Sequence, residues 1–197
     1  MRTLKNLPLH VVAVSGGVQR PSKSAALAQY LLDLIAIEVP CHQRLIEMGD
    51  LAPRLAGTIW RSQLPTTVEQ DLVAVEQADV LVVTTPVYRG SYTGIFKHFF
   101  DLIHQDALID KPVLLAATGG SERHSLVIDH QLRPLFSFFQ TRTAPLGIYA
   151  TDNDFADCRL HNMAAIARAK QVVQRALPLI KLAHHDEYAR VHTALTA

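Results

Sequence analysis

Two glycines followed by hydroxyl and basic side chains, Ser15-Gly16-Gly17-Val18-Gln19-Arg20-Pro21-Ser22-Lys23-Ser24, leave one apolar run and enter a helix-forming one. Glycine lets the backbone approach a ligand closely, the hydroxyls with Arg20 or Lys23 supply donors, and a helix N-terminus favours an anion. Holding a phosphate is the chemistry such a loop serves; an ordinary N-cap made by Ser22 or Ser24 is the simpler reading of the same residues. The loop contains neither Gly-x-x-x-x-Gly-Lys-Ser/Thr nor Gly-x-Gly-x-x-Gly, so it is neither a Walker loop nor a dinucleotide fingerprint. A second segment, Thr85-Pro86-Val87-Tyr88-Arg89-Gly90-Ser91-Tyr92-Thr93-Gly94, follows Val80-Leu81-Val82-Val83 and precedes Ile95, Phe96, Phe99, Leu102 and Ile103 at helical spacing. There a flat cofactor could lie against backbone and an aromatic side chain. A third, Thr118-Gly119-Gly120-Ser121-Glu122-Arg123-His124, is by itself only a turn signal. Three Gly- and hydroxyl-rich loops at strand ends make one shared site a better reading than three separate turns.

The elements that would position these loops alternate. Strand-like runs at 9–14, 39–46, 80–84, 112–117 and 143–148 are followed by helix-like runs at 24–37, 66–77, 91–104, 126–139 and 160–182. Such alternation predicts an α/β fold, a doubly wound five-stranded parallel sheet with helices on both faces. In open sheets of that kind ligands bind at the carboxyl edge. Residues 51–65, with Pro53, Gly57, Trp60 and Pro65, read as a long, partly apolar connection. Residues 1–183 are expected to form the domain and 184–197 a polar tail.

Composition removes several classes of function. The 197 residues, 49% hydrophobic, suffice for one substantial core. Nineteen basic and eighteen acidic side chains give a net charge of +1 without blocks of like charge, which argues against nucleic acid as a partner. There is no apolar span of about 18 residues, and residues 1–8 lack the long apolar core of a signal peptide, so a soluble cytoplasmic protein is expected. Cys41 and Cys158 stand alone and read as reduced structural thiols. The histidines show no metal-ligand spacing, Asp152, Asn153, Asp154 and Asp157 lack the glycine and glutamate of a calcium loop, and Ser15 has no nucleophile elbow around it.

Pro86-Val87-Tyr88 followed by Gly94, Lys97 and Asp101, together with Thr118-Gly119-Gly120 and Arg20-Pro21-Ser22, resembles the flavodoxin-like NAD(P)H-dependent FMN reductases. Within them the likeness is to reductases of two-component alkanesulfonate and methanesulfonate monooxygenase systems, and it spans roughly residues 9–180. The resemblance implies that Arg20, Ser22 and Ser24 hold the FMN phosphate. It also implies that Pro86, Val87, Tyr88 and Arg89 border the isoalloxazine and ribityl chain, and that Thr118, Gly119 and Gly120 complete the ring pocket. Many family members have Ser where this chain has Gly17, which implies one fewer phosphate donor and weak, exchangeable FMN. The implied activity is hydride transfer from NADH or NADPH to FMN, with a flavin-dependent monooxygenase as acceptor of FMNH2. The alternative is a quinone or azo-type reductase with tightly bound FMN. No catalytic side chain is required. His130 matches a position where related sulfonate-system reductases carry an inserted aromatic residue in a π-type bulge at a subunit interface. Leu126, Val127, Leu132, Leu135, Phe136, Phe138 and Phe139 make a helix more apolar than a monomer needs, so a homodimer or homotetramer is expected.

Overall fold

The computed structural model describes residues 8–196, with side chains placed through residue 183. Strands β1 (Leu9–Ser15), β3 (Val80–Pro86) and β4 (Pro112–Gly119) are runs of Val, Leu and Ala covered almost throughout their length, the pattern of a parallel sheet sandwiched between helices. With β2 (Cys41–Glu47) the order is β2-β1-β3-β4, and every pairing is parallel. Two short strands, β5 (Arg142–Thr143) and β6 (Ile148–Thr151), both lie beside β4 and share the fifth place. This is the flavodoxin-like 2-1-3-4-5 order. Ser15 sits beside Thr84 and Pro86 beside Thr118, so β1, β3 and β4 release their loops along one edge.

The strand expected over 143–148 is broken in the middle. Pro145 has no N–H to give to a ladder. At Gly147 a Cβ would stand 2.9 Å from the Leu115 carbonyl oxygen and 2.8 Å from Ile128 Cγ2, so the backbone is pressed onto its neighbours there. The stretch 51–65, read as a connection, holds the last five residues of the helix α2 (Met48–Leu55) and a 3-10 turn, Arg61–Gln63. Met48, Leu51 and Leu55 lie one below another on a buried stripe, and that burial prevails over Pro53 and Gly49. The acidic stretch around Asp152 contains a 3-10 turn, Asp152–Asp154, and leads into the hairpin β7 (Phe155–Ala156) and β8 (Arg159–Leu160). Asp157 and Cys158 turn that hairpin at φ 49° and 56°.

Helices α1 (Lys23–Glu38) and α6 (Met163–Thr196) cover one face, where Leu27, Leu31, Ile35, Val172, Val173 and Ile180 pack on the sheet. The α6 backbone continues through the expected boundary at 183/184; the side chains of that tail, like residues 1–7, lie outside the described residues. The other face carries α2, α3 (Thr66–Gln77), α4 (Gly94–Asp101) and α5 (Arg133–Phe138), with an aromatic cluster of Phe96, Phe99, Phe100, Phe136 and Phe139. Arg61 ties α3 to this face: its guanidinium holds Glu69, with one Nη2 bond at 2.6 Å, and also Glu76. Burial pushes the Glu76 carboxyl up, but the Arg61 bond and the His104 N–H at 2.9 Å outweigh it and keep Glu76 below the usual carboxylate range. Among the described residues no helix is long and apolar enough to cross a membrane.

The helix expected over 126–139 divides. Residues Ile128–Leu132 form a π turn, closed by the Arg133 N–H on the Ile128 carbonyl, and α5 follows with Pro134 in its first turn, where a missing N–H costs little. His130 lies inside the π turn with its side chain exposed. Val127, Leu132, Phe136 and Phe139 enter the core of the chain itself, which leaves Leu126 (59% exposed) and Phe138 (66%) outside.

Candidate functional site: an anion cradle opening on a flat slot

The β1 loop is held from three sides. Gly16 donates its N–H to the Thr84 carbonyl at 2.7 Å and accepts from Thr93 Oγ1, the N-cap of α4, at 2.8 Å. Gly49 of α2 donates to the Gly17 carbonyl at 3.0 Å. At the start of α1, Thr84 Oγ1 donates to the Ser24 carbonyl at 2.9 Å, so the end of β3 also fixes the first helical turn. Gly16 must be small, since a Cβ there would come within 2.8 Å of Thr85 Oγ1.

Within this frame the Ser22 and Ser24 hydroxyls stand 3.2 Å apart, and Ser22 Oγ caps α1 by accepting the Ala25 N–H at 3.1 Å. The space a Cβ on Gly17 would take is already filled by both hydroxyls. Gly17 therefore makes room for donors contributed by Ser22 and Ser24. Ala25 and Ala26 bond Ser22, while the first-turn N–H groups of Lys23 and Ser24 have no acceptor among the described residues. Ser15 Oγ is fully buried and without a hydrogen-bond partner. Hydroxyls and open N–H groups at a helix N-terminus fit a phosphate ester.

The β3 loop supplies one wall of the slot beyond. Val87 donates its N–H to the Thr118 carbonyl at 2.8 Å, tying it to the β4 loop. Tyr88 and Ser91 bond each other's backbone at 2.8 and 3.2 Å across Arg89 and Gly90, whose φ values of 53° and 85° make a tight reverse turn. Ser91 Oγ bonds Gln131 of the π turn at 3.0 Å. The opposite wall is Thr118, Gly119 and Gly120. Gly119 lies flat against Tyr149, whose hydroxyl would collide with any Cβ at that position and which donates to the Ser121 carbonyl at 2.7 Å. Burial, with the charge of Asp152 added, pushes the Tyr149 phenol above its ordinary value, so it remains a neutral donor at physiological pH.

Together these loops enclose an open cleft of about 330 Å³. Of the residues expected from the sequence, Ser22, Ser24, Pro86, Val87, Tyr88, Thr118, Gly119 and Gly120 all line it. Arg20 does not: its guanidinium turns to α2 and the end of β2, bonding Asp50 at 2.6 Å and Glu47 at 3.2 Å. Arg89 faces a neighbouring open cleft with Ser121 and His124 that shares Val87 and Gly120 with the first. Gln19, Lys23 and Asp152 line the main cleft without having been selected as site residues. Lys23 was visible as a donor in its loop; Asp152 reaches the site from beyond β6, and nothing in its local sequence announces that.

A phosphate cradle at the β1 loop, continuous with a slot between the β3 and β4 loops of a 2-1-3-4-5 sheet, defines a flavin mononucleotide-type site. The chain belongs to the NADPH-dependent FMN reductase family, whose profile matches residues 9–156. It is 57% identical over 178 residues to the NADH-dependent FMN reductase SfnE of Pseudomonas putida, covering 90% of this chain and 95% of that one. It is 52% identical over 172 residues to an FMN reductase (NADPH) of Pseudomonas aeruginosa, covering 87% and 92%. Among solved structures, apo NADH:FMN oxidoreductase (EMOB) superposes with a TM-score of 0.76 at 30% identity over 85% of this chain and 88% of that one. Reduction of FMN by a reduced nicotinamide nucleotide is the activity of this family and of this chain.

Proposed function

We propose that this reductase takes FMN as an exchangeable substrate and passes FMNH2 to a flavin-dependent monooxygenase, of the sulfonate type or similar, in the cytoplasm. The observation that carries this reading is the make-up of the cleft. Tyr88, itself 40% exposed, is the one aromatic side chain among the described residues lining it; Val87, Pro21 and Pro86 are its other larger apolar groups, and the rest is Gln19, glycine backbone, hydroxyls and one ion pair. Tight ligand sites bury most of the ligand against apolar and aromatic walls; this one offers a ring little to bury against.

The flavin, when bound, supplies a hydride acceptor at N5. The protein's part is placement. In this reading Ser22, Ser24 and the first N–H groups of α1 hold the phosphate. Arg20 shapes the cradle from outside by bracing the loop on Glu47 and Asp50. Pro86, Val87 and Tyr88 border one side of the ring and ribityl chain, and Thr118, Gly119 and Gly120 border the other. Arg89, at the rim, faces the open side from which NADH or NADPH approaches. Relatives named for each nucleotide, at 57% and 52% identity, support both as donors. Exposed Leu126 and Phe138, flanking exposed His130, support a homodimer or homotetramer, and residues 1–183 form the catalytic unit.

Gel filtration of FMN-loaded protein tests both parts of the proposal. The expected elution is flavin-free, at a mass above that of one chain. One FMN retained per chain would instead indicate the quinone or azo-type reductase, and a monomer peak would remove the oligomer.

A further inference from the structure

Lys23 Nζ donates to Asp152 Oδ1 at 2.8 Å, joining the first turn of α1 to a residue 129 positions away. The pair closes across the cradle end of the cleft. The second carboxylate oxygen, Oδ2, faces the β4 loop, 3.7 Å from where a Cβ on Gly120 would lie. Asp152 is not free to drift: its 3-10 turn is pinned by Asp154, which accepts the Thr151 N–H at 2.6 Å and Thr151 Oγ1 at 2.9 Å. Among the described residues lining the cleft, Lys23 is the one cation and Asp152 the one anion. Arg20, the other basic residue of the loop, is taken up by Glu47 and Asp50.

We propose that Asp152 is a built-in competitor of the flavin phosphate for Lys23, so that Lys23 selects phosphorylated flavin and Asp152 keeps its binding weak enough to exchange. The inference rests on the reading that this cleft takes FMN by its phosphate. The two side chains are 35% and 55% exposed, and a pair so open to water is weakly held. An arriving phosphate, carrying close to two negative charges near pH 7, draws the ammonium away from the carboxylate. Asp152 then stands beside the phosphate with its charge uncompensated, and that repulsion favours release. A tight-binding site would place a neutral or basic residue there.

The test is titration of flavin-stripped full-length protein with FMN and with riboflavin, followed by flavin fluorescence, at low and high salt. Asp152→Asn is expected to bind FMN about five- to tenfold more tightly, the size of one charged contact in a cleft open to water, with riboflavin unchanged. Asp152→Ser should act in the same direction, which guards against a misfolded first variant. Lys23→Met should weaken FMN about tenfold by the same reasoning, leave riboflavin unchanged and flatten the salt dependence. FMN binding unchanged or weakened in both Asp152 variants, with the wild type still preferring FMN to riboflavin, would overturn the competition alone. A wild type that binds riboflavin as tightly as FMN would overturn the phosphate reading and the proposal with it.

Discussion

Replacing Ser22 and Ser24 together by alanine is expected to raise the Kd for FMN by about a hundredfold, from two hydrogen bonds to a charged group of ~1.5 kcal/mol each. The two hydroxyls lie 3.2 Å apart over Gly17. Both are needed because Gly17 offers no side chain. The single variants separate binding from stability. Ser22 also caps α1 through the Ala25 N–H, so Ser22→Ala should cost about 1 kcal/mol of unfolding free energy. Ser24 is only 2% exposed, but its hydroxyl caps no backbone group and bonds only the Ser22 hydroxyl, so Ser24→Ala should cost about 0.5 kcal/mol, the low end for one hydrogen bond. Isothermal titration with FMN and riboflavin, beside urea unfolding, reads both effects. An FMN Kd that does not move in the double variant would place the phosphate elsewhere.

The largest loss of stability is expected from Phe100→Ala, about 3–5 kcal/mol. Phe100 is 1% exposed. Its ring lies 4.8 Å from that of Phe96, 5.0 Å from Phe136 and 5.5 Å from Phe99, the last two edge-on. Such pairs add to the burial itself. The effect should reach the site. Phe100 joins α4 to α5; the α4 N-cap Thr93 holds Gly16, and the π turn before α5 holds Ser91 through Gln131. Urea midpoints at constant m-value measure the stability loss. A cost below about 1 kcal/mol, the range of a volume-conserving swap, would mean that the aromatic cluster is not the joint between these helices.

Much of this arrangement was legible in the residues. The alternation of apolar runs placed β1 to β4, and residues 66–77 matched α3 end to end. Gly-rich loops at three strand ends converged because the parallel register sets Ser15 beside Thr84 and, two residues further along, Pro86 beside Thr118. What escaped was decided by contacts between distant segments. Pro53 and Gly49 disguised α2, whose helix is selected by burial of Met48, Leu51 and Leu55. Pro145 and the close approach at Gly147 split a run whose apolar pattern alone reads as one strand. Arg20 looked like a phosphate donor within its loop, but Glu47 and Asp50, 27 and 30 residues on, claim it. Lys23 and Asp152 stand 129 positions apart, and no local pattern encodes the pair.

The central claim, that FMN is a substrate this cleft picks up and releases, is tested most directly by NADH and NADPH oxidation on flavin-stripped protein with FMN, FAD and riboflavin varied in turn. The account predicts a rate that is negligible without added flavin and rises to saturation with free FMN, with riboflavin a poorer substrate for want of a phosphate. Turnover independent of added FMN, requiring only a quinone and accompanied by flavin that stays with the protein, would contradict it.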